Sequence, residues 1–275
     1  MRLRSFAFAL VVLCCIFAFP ATAQQVSTGA TQNPTAVALA TNSVAVLSGS
    51  VQVADITLTG TATRIAGSDV GTGTVTLKAL GTLDSRIDLS LSSGTRSEVR
   101  NASNGAPQGS WLAPSGSVNN MAMHNCFTDA AWFFPALTVL SQTSNPNLSI
   151  TYVGLETKNG VSVQHLNFAS VSAVQPTASA GLRGPAASLA TLSSTDVYLD
   201  SASLLPVALA FNTHPDNDAL TNIPVEVDFS NYQAVNGVQI PFHIQKFLNA
   251  SLFLDLTIQT ASLNSGLTDS AFASN

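Results

Sequence analysis

Between residues 196 and 272, apolar and polar residues alternate in one run after another, and turn chemistry separates the runs. A period of two places successive side chains on opposite faces of a strand, so each run can bury one face and wet the other. Asn236-Gly237 stands between two such runs. Asn-Gly supplies the two positive-φ positions of a tight hairpin turn, which makes the flanking runs pair antiparallel. This stretch alone predicts a meander of four or five strands, and it contains no catalytic motif.

The same period runs through the rest of the chain. From Val53, Asp55, Thr57, Thr59, Thr61 and Thr63 share one face, and Ile56, Leu58, Gly60 and Ala62 the other. Residues 67–71 read as the turn, and 74–80 return with Val75 and Leu77 against Thr74, Thr76 and Lys78. Residues 85–91 set Ile87, Leu89 and Leu91 against Arg86, Asp88 and Ser90, and residues 95–101 put Arg96, Glu98 and Arg100 on one face. These charges read as a solvated outer wall with cross-strand pairs. Residues 105–117 are turn-rich and carry Trp111 on a short strand or loop. Strands resume at 148–154 and 161–168, joined by a second hairpin signal at Lys158-Asn159-Gly160. The expectation is a mainly β fold: a strongly curved antiparallel sheet of about ten or eleven strands, or half-open barrel, with a few helices as core cover or lid.

Two stretches read as helical. Residues 35–47 offer Val37, Ala40, Val44 and Leu47 at helical spacing, with Gly49 as a stop. Within 119–142, Thr128-Asp129 reads as an N-cap with a first-turn acid. Ala130, Phe133, Phe134, Leu137 and Leu140 then mark one face, with Trp132 adjoining, and Pro135 is expected to kink or restart the helix. Residues 175–194 form a loop long for a compact domain.

Residues 1–23 read as a cleaved export signal: Arg2 and Arg4, an apolar run from Phe6 to Phe19, then Ala21-Thr-Ala23. Residues 24–34 read as a flexible leader and 35–275 as one β domain. Cleavage would remove Cys14 and Cys15 and leave Cys126 as a lone thiol, expected to be a small buried hydrophobe. With 9% charged residues and a net charge of −5, the chain has no electrostatic footprint for nucleic acid.

Catalytic and metal chemistry finds little purchase. His124 and Cys126 are two apart, a spacing that points them away from each other on a helix. No CxxC, HExxH, GxSxG, P-loop or GxGxxG before a helix is present. Residues 214–218 loosely match the start of a calcium loop, but Leu220 stands where an oxygen ligand belongs, so a polar turn is the better reading. His165 and His243 lie within strand runs and read as structural. No catalytic residue, metal or cofactor follows from the sequence.

Three pieces carry a resemblance. Val197 to Pro206 has the form V-x-L-D-x-x-x-x-L-P, Phe229 to Pro241 the form F-S-x-Y-x-x-V-x-G-x-x-I-P, and Asn264 to Phe272 the form N-x-x-L-x-D-x-x-F. In this order they resemble the closing part of the lipoprotein-carrier superfamily, the LolA/LolB-like proteins of outer-membrane lipoprotein sorting. The resemblance implies a half-open antiparallel barrel, lidded by helices, whose apolar cavity holds the acyl chains of a lipid or lipidated protein in the periplasm, with an envelope protein as a further partner. On that reading the acyl-binding residues are Ile56, Leu58, Val75 and Leu77 on the strands and Phe127, Trp132, Phe133, Phe134, Leu137 and Leu140 on the lid. It also implies a basic residue inside the barrel that bonds to the lid; Arg64 has the parity for it, though a bulge could turn it outward. The competing reading is a structural or interaction protein of the cell envelope with the same fold and a filled core. The two part on whether the space beneath Trp132 and Phe133 is empty or packed.

Overall fold

A computed structural model describes residues 30–102, 105–171 and 189–273. The export signal, most of the leader and most of the 175–194 loop lie outside them. Helix α1 spans Pro34–Ser48. The strands that follow are β1 (Asp55–Ala66), β2 (Asp69–Leu80), β3 (Asp84–Leu91), β4 (Gly94–Asn101), β5 (Gln108–Leu112) and β6 (Val118–Asn120). After an irregular segment come β7 (Leu148–Lys158), β8 (Val161–Ser170) and the one-turn α2 (Leu189–Leu192). The chain ends with β9 (Thr195–Asp200), β10 (Pro206–Thr213), β11 (Ile223–Val235), β12 (Val238–Leu248) and β13 (Ser251–Leu263).

All thirteen strands of the described residues belong to one antiparallel sheet, ordered β6-β5-β4-β3-β2-β1-β13-β12-β11-β10-β9-β8-β7. It is strongly curved and does not close. The sequence predicts about ten or eleven strands; β5, which carries Trp111 from the turn-rich stretch, and β6 just beyond it bring the described residues to thirteen. Strand β2 starts at Asp69, five residues before the expected return, because Gly67-Ser68 alone makes the turn and Ala66 pairs directly with Asp69. Every strand pairs with its chain neighbour except β6 with β7, and two features of the order stand out. One is the closure of β1 on β13; the other is the connection from β6 to β7, which joins the two edges of the sheet.

Both expected hairpin turns form. Asn159 and Gly160 have φ of 51° and 78°, and Asn236 and Gly237 have 50° and 86°. Only glycine occupies such a conformation without a steric penalty. Gly237→Val is therefore expected to cost ~1 kcal/mol or more, read as a lower denaturation midpoint; an unchanged midpoint would remove the strain argument. The β12–β13 turn uses Asn249 and Ala250 at φ of 49° and 59°, a turn with no glycine to announce it.

The recurring motif residues act as fasteners. Asp55 at the start of β1 accepts hydrogen bonds from the N–H groups of Ser265, Gly266 and Leu267 and from the Ser265 hydroxyl. Burial pushes its carboxyl up, but these donors outweigh burial and hold it below the usual carboxylate range. Asn264 accepts from Ala54 N–H and donates to Gln52 O, and Phe272 is buried nearby against β3 and β4. Tyr232 donates its hydroxyl to Pro206 O, linking two of the motifs. At the far edge, Thr31 and Asn33 exchange backbone bonds with Ile150 of β7, so the last residues before α1 cover an otherwise open strand.

Helix α1 starts at Pro34, with the Asn33 side chain accepting from Thr35 and Ala36 N–H. It buries Ala36, Ala40, Ser43 and Leu47, with Val37 and Val44 flanking, against the inner face of the sheet. Small residues on that stripe let the helix approach closely.

Candidate functional site

The inner, concave face is lined by every second residue of the strands. Ile56, Leu58, Val75, Leu77, Ile87 and Leu89 supply it from one half of the sheet, and Val227, Ile240, Ile244, Leu254 and Leu256 from the other. Residues 121–147, the crossover between the two edge strands, pass over this face because the edges they join lie on opposite sides of its mouth.

The crossover is not the kinked α-helix that residues 119–142 predict. It contains three short 3-10 turns, Met123–Phe127, Pro135–Leu137 and Val139–Ser141. Thr128 does not cap a helix; it closes the first turn and its hydroxyl accepts from Arg100 Nη1 at 2.7 Å. Asp129 folds forward to take the Val139 N–H at 3.0 Å. The aromatic run then has no helical face to obey, and all of residues 130–140 are buried.

Of the sequence-predicted site residues, nine meet in one core. Ile56, Leu58, Val75 and Leu77 form the wall, and Trp132, Phe133, Phe134, Leu137 and Leu140 lie against it, each no more than 4% exposed. Phe133 is thus enclosed in the core, while the buried Trp132 also borders a half-open cleft. Trp132 and Phe133 meet edge-to-face at 5.7 Å. Phe127 does not join them; it is half-buried and lines a separate cleft of about 260 Å³ with Arg100, Cys126 and Asp129. Cys126 is a buried free thiol, its pKa pushed up by burial.

Polar bonds hold the start of the crossover to both sides of the mouth. Arg100 of β4 donates to Asn125 O and Thr128 Oγ1. From the opposite side, Asn125 exchanges two 2.8 Å bonds with the His214 backbone, and His124 Nε2 lies 3.0 Å from Pro215 O. The bond implied for a basic residue to the lid is therefore made by Arg100. Arg64 stands opposite Leu254 on the inner face but spends its guanidinium on Asp69, at 2.6 Å, and on the Phe253 ring.

Charge placement differs from the expected outer wall. Glu98 and Arg96 pair in register with Ile87 and Leu89, so Arg96, Glu98 and Arg100 share the concave face. Arg100 bonds Glu98 at 3.0 Å. Lys246, two residues beyond Ile244 on β12, sits 4.2 Å from the centre of the Trp132 ring. Burial pushes its ammonium down to about 8, against the opposing pull of Glu98. Period-two parity contained this signal, since Arg96 and Glu98 fall opposite apolar residues once the β3–β4 register is known; the register itself was the missing piece.

Three of the six buried side-chain polar atoms without a partner among the described residues belong to the crossover or its clamp: Asp129 Oδ2, Trp132 Nε1 and His214 Nε2. Each such group costs ~1–3 kcal/mol. Burial pushes the Asp129 carboxyl up to about 7, with the Val139 N–H and Arg100 restraining the shift.

The outer face carries a second polar cluster. His165 lies 2.8 Å from Glu156 and 3.0 Å from Asp196 and stacks on Tyr198, while Lys158 pairs with Glu226 at 2.9 Å. Both ring nitrogens of His165 are occupied, as are those of His243 between Ser230 and Asp255, so each histidine braces strands. Residues 214–218 form a turn in which Asp218 accepts from Leu220 N–H and the Thr221 hydroxyl.

No protein-family model and no curated protein matches the chain. Solved structures do. A domain named for outer-membrane lipoprotein sorting, from Vibrio parahaemolyticus, is 12% identical, with a TM-score of 0.53 over 86% of this chain and 96% of that one. A DUF1329 family protein from Desulfovibrio piger is 11% identical, TM-score 0.53, over 87% and 96%. A LolA superfamily protein from Nitrosomonas europaea is 10% identical, TM-score 0.51, over 86% and 97%. At such identities the likeness speaks for architecture alone, and it agrees with the half-open curved sheet and covered inner face: the chain has a LolA/LolB-like fold.

Proposed function

We propose that the protein is an exported, non-catalytic carrier that buries the acyl chains of a lipid or lipidated protein in the bacterial periplasm. The observation that carries this reading is the cover of the concave face: an apolar crossover with little regular structure, clamped at its start by polar bonds. An acyl chain can replace Trp132, Phe133, Phe134, Leu137 and Leu140 against Ile56, Leu58, Val75 and Leu77 with like for like. The wall stays apolar in both states, and the orphaned Asp129 and Trp132 atoms regain water when the crossover lifts. Phe127, beside the Arg100 clamp, would border the path of entry. The lipoprotein-sorting and LolA names of the similar structures support the same class of ligand and compartment.

The exchange is one of comparable energies, since the five lid side chains give up burial of the same order as an acyl chain supplies. Burial contributes roughly 0.8 kcal/mol per methylene, so ten methylenes supply about 8 kcal/mol toward lifting the crossover and ordering the chain. Separating the crossover requires breaking the Arg100 bonds to Asn125 and Thr128, which frees Arg100 to remain with Glu98.

The packed core favours one other reading, a structural envelope protein of the same fold. Delipidated protein titrated with a fluorescent fatty-acyl probe separates them. The carrier is expected to bind the probe saturably at one site, and protein purified from its native host to release acyl lipids into organic solvent. Absence of both would leave the structural protein.

A further inference from the structure

The concave face carries positive charge that its own residues leave unbalanced. Arg64, Arg96, Glu98, Trp132, Lys246 and Leu254 are among the residues that line a half-open cleft of about 200 Å³. Arg64 and Arg96 each place a guanidinium nitrogen 2.6 Å from the same Asp69 oxygen, so one carboxylate serves two cations. Glu98 is bonded to Arg100. Lys246 makes no ion pair within 4 Å among the described residues; it shares the pull of Glu98 with Arg100, and its ammonium rests on the Trp132 ring. Four of the chain's ten basic residues thus gather around two carboxylates, in a protein of net charge −5.

A solvated surface arginine needs no such grouping, and the cation–π contact with Trp132 offsets only part of the cost of burying Lys246. Taking charge out of water is costly unless it is paired. An oxyanion seated in the cleft would pair this charge. The cleft opens directly onto the apolar wall through Ile87, Leu89 and Leu254, so an anion seated there has hydrocarbon-compatible surface beside it.

We propose that this cleft is a headgroup subsite, which seats the carboxylate or phosphate of an anionic amphiphile while its acyl chain lies along the concave face. The proposal rests on the carrier reading and names its ligand class. Lys246 and Arg64 supply charge-assisted hydrogen bonds, the stronger kind, while Arg96, held by Ser93 Oγ, Gly94 O and Asp69, adds its charge. Asp69, 40% exposed, is the counter-ion that a bound oxyanion would share with solvent.

Both tryptophans of the chain, Trp111 and Trp132, line the cleft, so intrinsic fluorescence reports on it directly. The experiment titrates the full chain, wild type and Lys246→Met, with dodecanoate, dodecyl phosphate, dodecanol and inorganic phosphate. The two anionic amphiphiles are expected to bind wild type ~10-fold or more tighter than dodecanol. In Lys246→Met that preference should shrink several-fold while dodecanol affinity holds, and Arg96→Gln should repeat the result, which guards against a folding defect in either variant. Inorganic phosphate should compete only weakly. Equal binding of dodecanol and dodecanoate by wild type would overturn the headgroup subsite and leave the carrier standing. Binding of no amphiphile would overturn both. Phosphate bound as tightly as dodecyl phosphate would make this a free-anion site and overturn the headgroup assignment.

Discussion

Phe133→Ala is expected to lower folding stability by about 3–5 kcal/mol and, at the same time, to tighten acyl binding. The ring is fully buried among the concave-face residues and meets Trp132 edge-to-face. Its removal forfeits that burial in the closed state, where the crossover occupies the inner face. In the carrier reading the crossover and the acyl chain compete for one surface. Weakening the closed state by ~3 kcal/mol shifts that competition toward the ligand by roughly 100-fold at most. Chemical denaturation and acyl-probe titration of the same preparations test this. A lower midpoint with no probe bound by either protein would support the structural reading. A lower midpoint with weaker probe binding would make Phe133 a ligand contact rather than a competitor.

The second large effect is a pH dependence centred on Asp129. Its carboxyl is pushed up to about 7 by burial, from an ordinary value of 3.8, and one oxygen has no partner. A folded-state pKa above the unfolded one means that the folded protein holds the extra proton between these values. Its contribution to stability is therefore full below about pH 4, falls as pH rises toward 7, and is flat above. At 1.36 kcal/mol per pKa unit the loss amounts to up to roughly 4 kcal/mol. Other groups titrate over the same range, Asp228 in the same direction, so the measurement is the difference between wild type and Asp129→Asn. The variant is expected to be the more stable at pH 8 and to lose that advantage by pH 5. Parallel midpoint-against-pH curves would show that Asp129 does not carry the dependence. Because Asp129 sits at the crossover's start and braces Val139, its ionisation bears on the part of the chain that the proposed ligand must displace.

The strands were legible because their determinants are local. Alternation in residues 225–235 and 238–248 needs only the pleat, and Asn236-Gly237 needs only its own φ angles. The same locality explains α1, whose stripe from Ala36 to Leu47 and cap at Asn33 are written within fifteen residues. The turn at Asn249-Ala250 was invisible because the register of β12 and β13 imposes positive φ on an alanine that would not choose it. Five of the six apolar lid residues and all four wall residues carried ordinary core periodicity or bulk, which is why they could be named; Phe127 could not be told from them without knowing where the crossover turns.

What the sequence by itself determined is the antiparallel meander, its hairpins and the apolar face of each strand, since these follow from period-two patterning and turn stereochemistry. The tertiary structure alone decided three things. Residues 121–147 become an irregular cover instead of a helix because they must span the two edges of a curved sheet, and burial of Trp132 to Leu140 outweighs helical propensity. Arg96, Glu98 and Arg100 face inward because β4 pairs with β3 in the register that sets Glu98 beside Ile87. Lys246 and Trp132, more than a hundred positions apart, meet because curvature folds the sheet around its own crossover. Each depends on long-range register and curvature, quantities that no local window of residues contains.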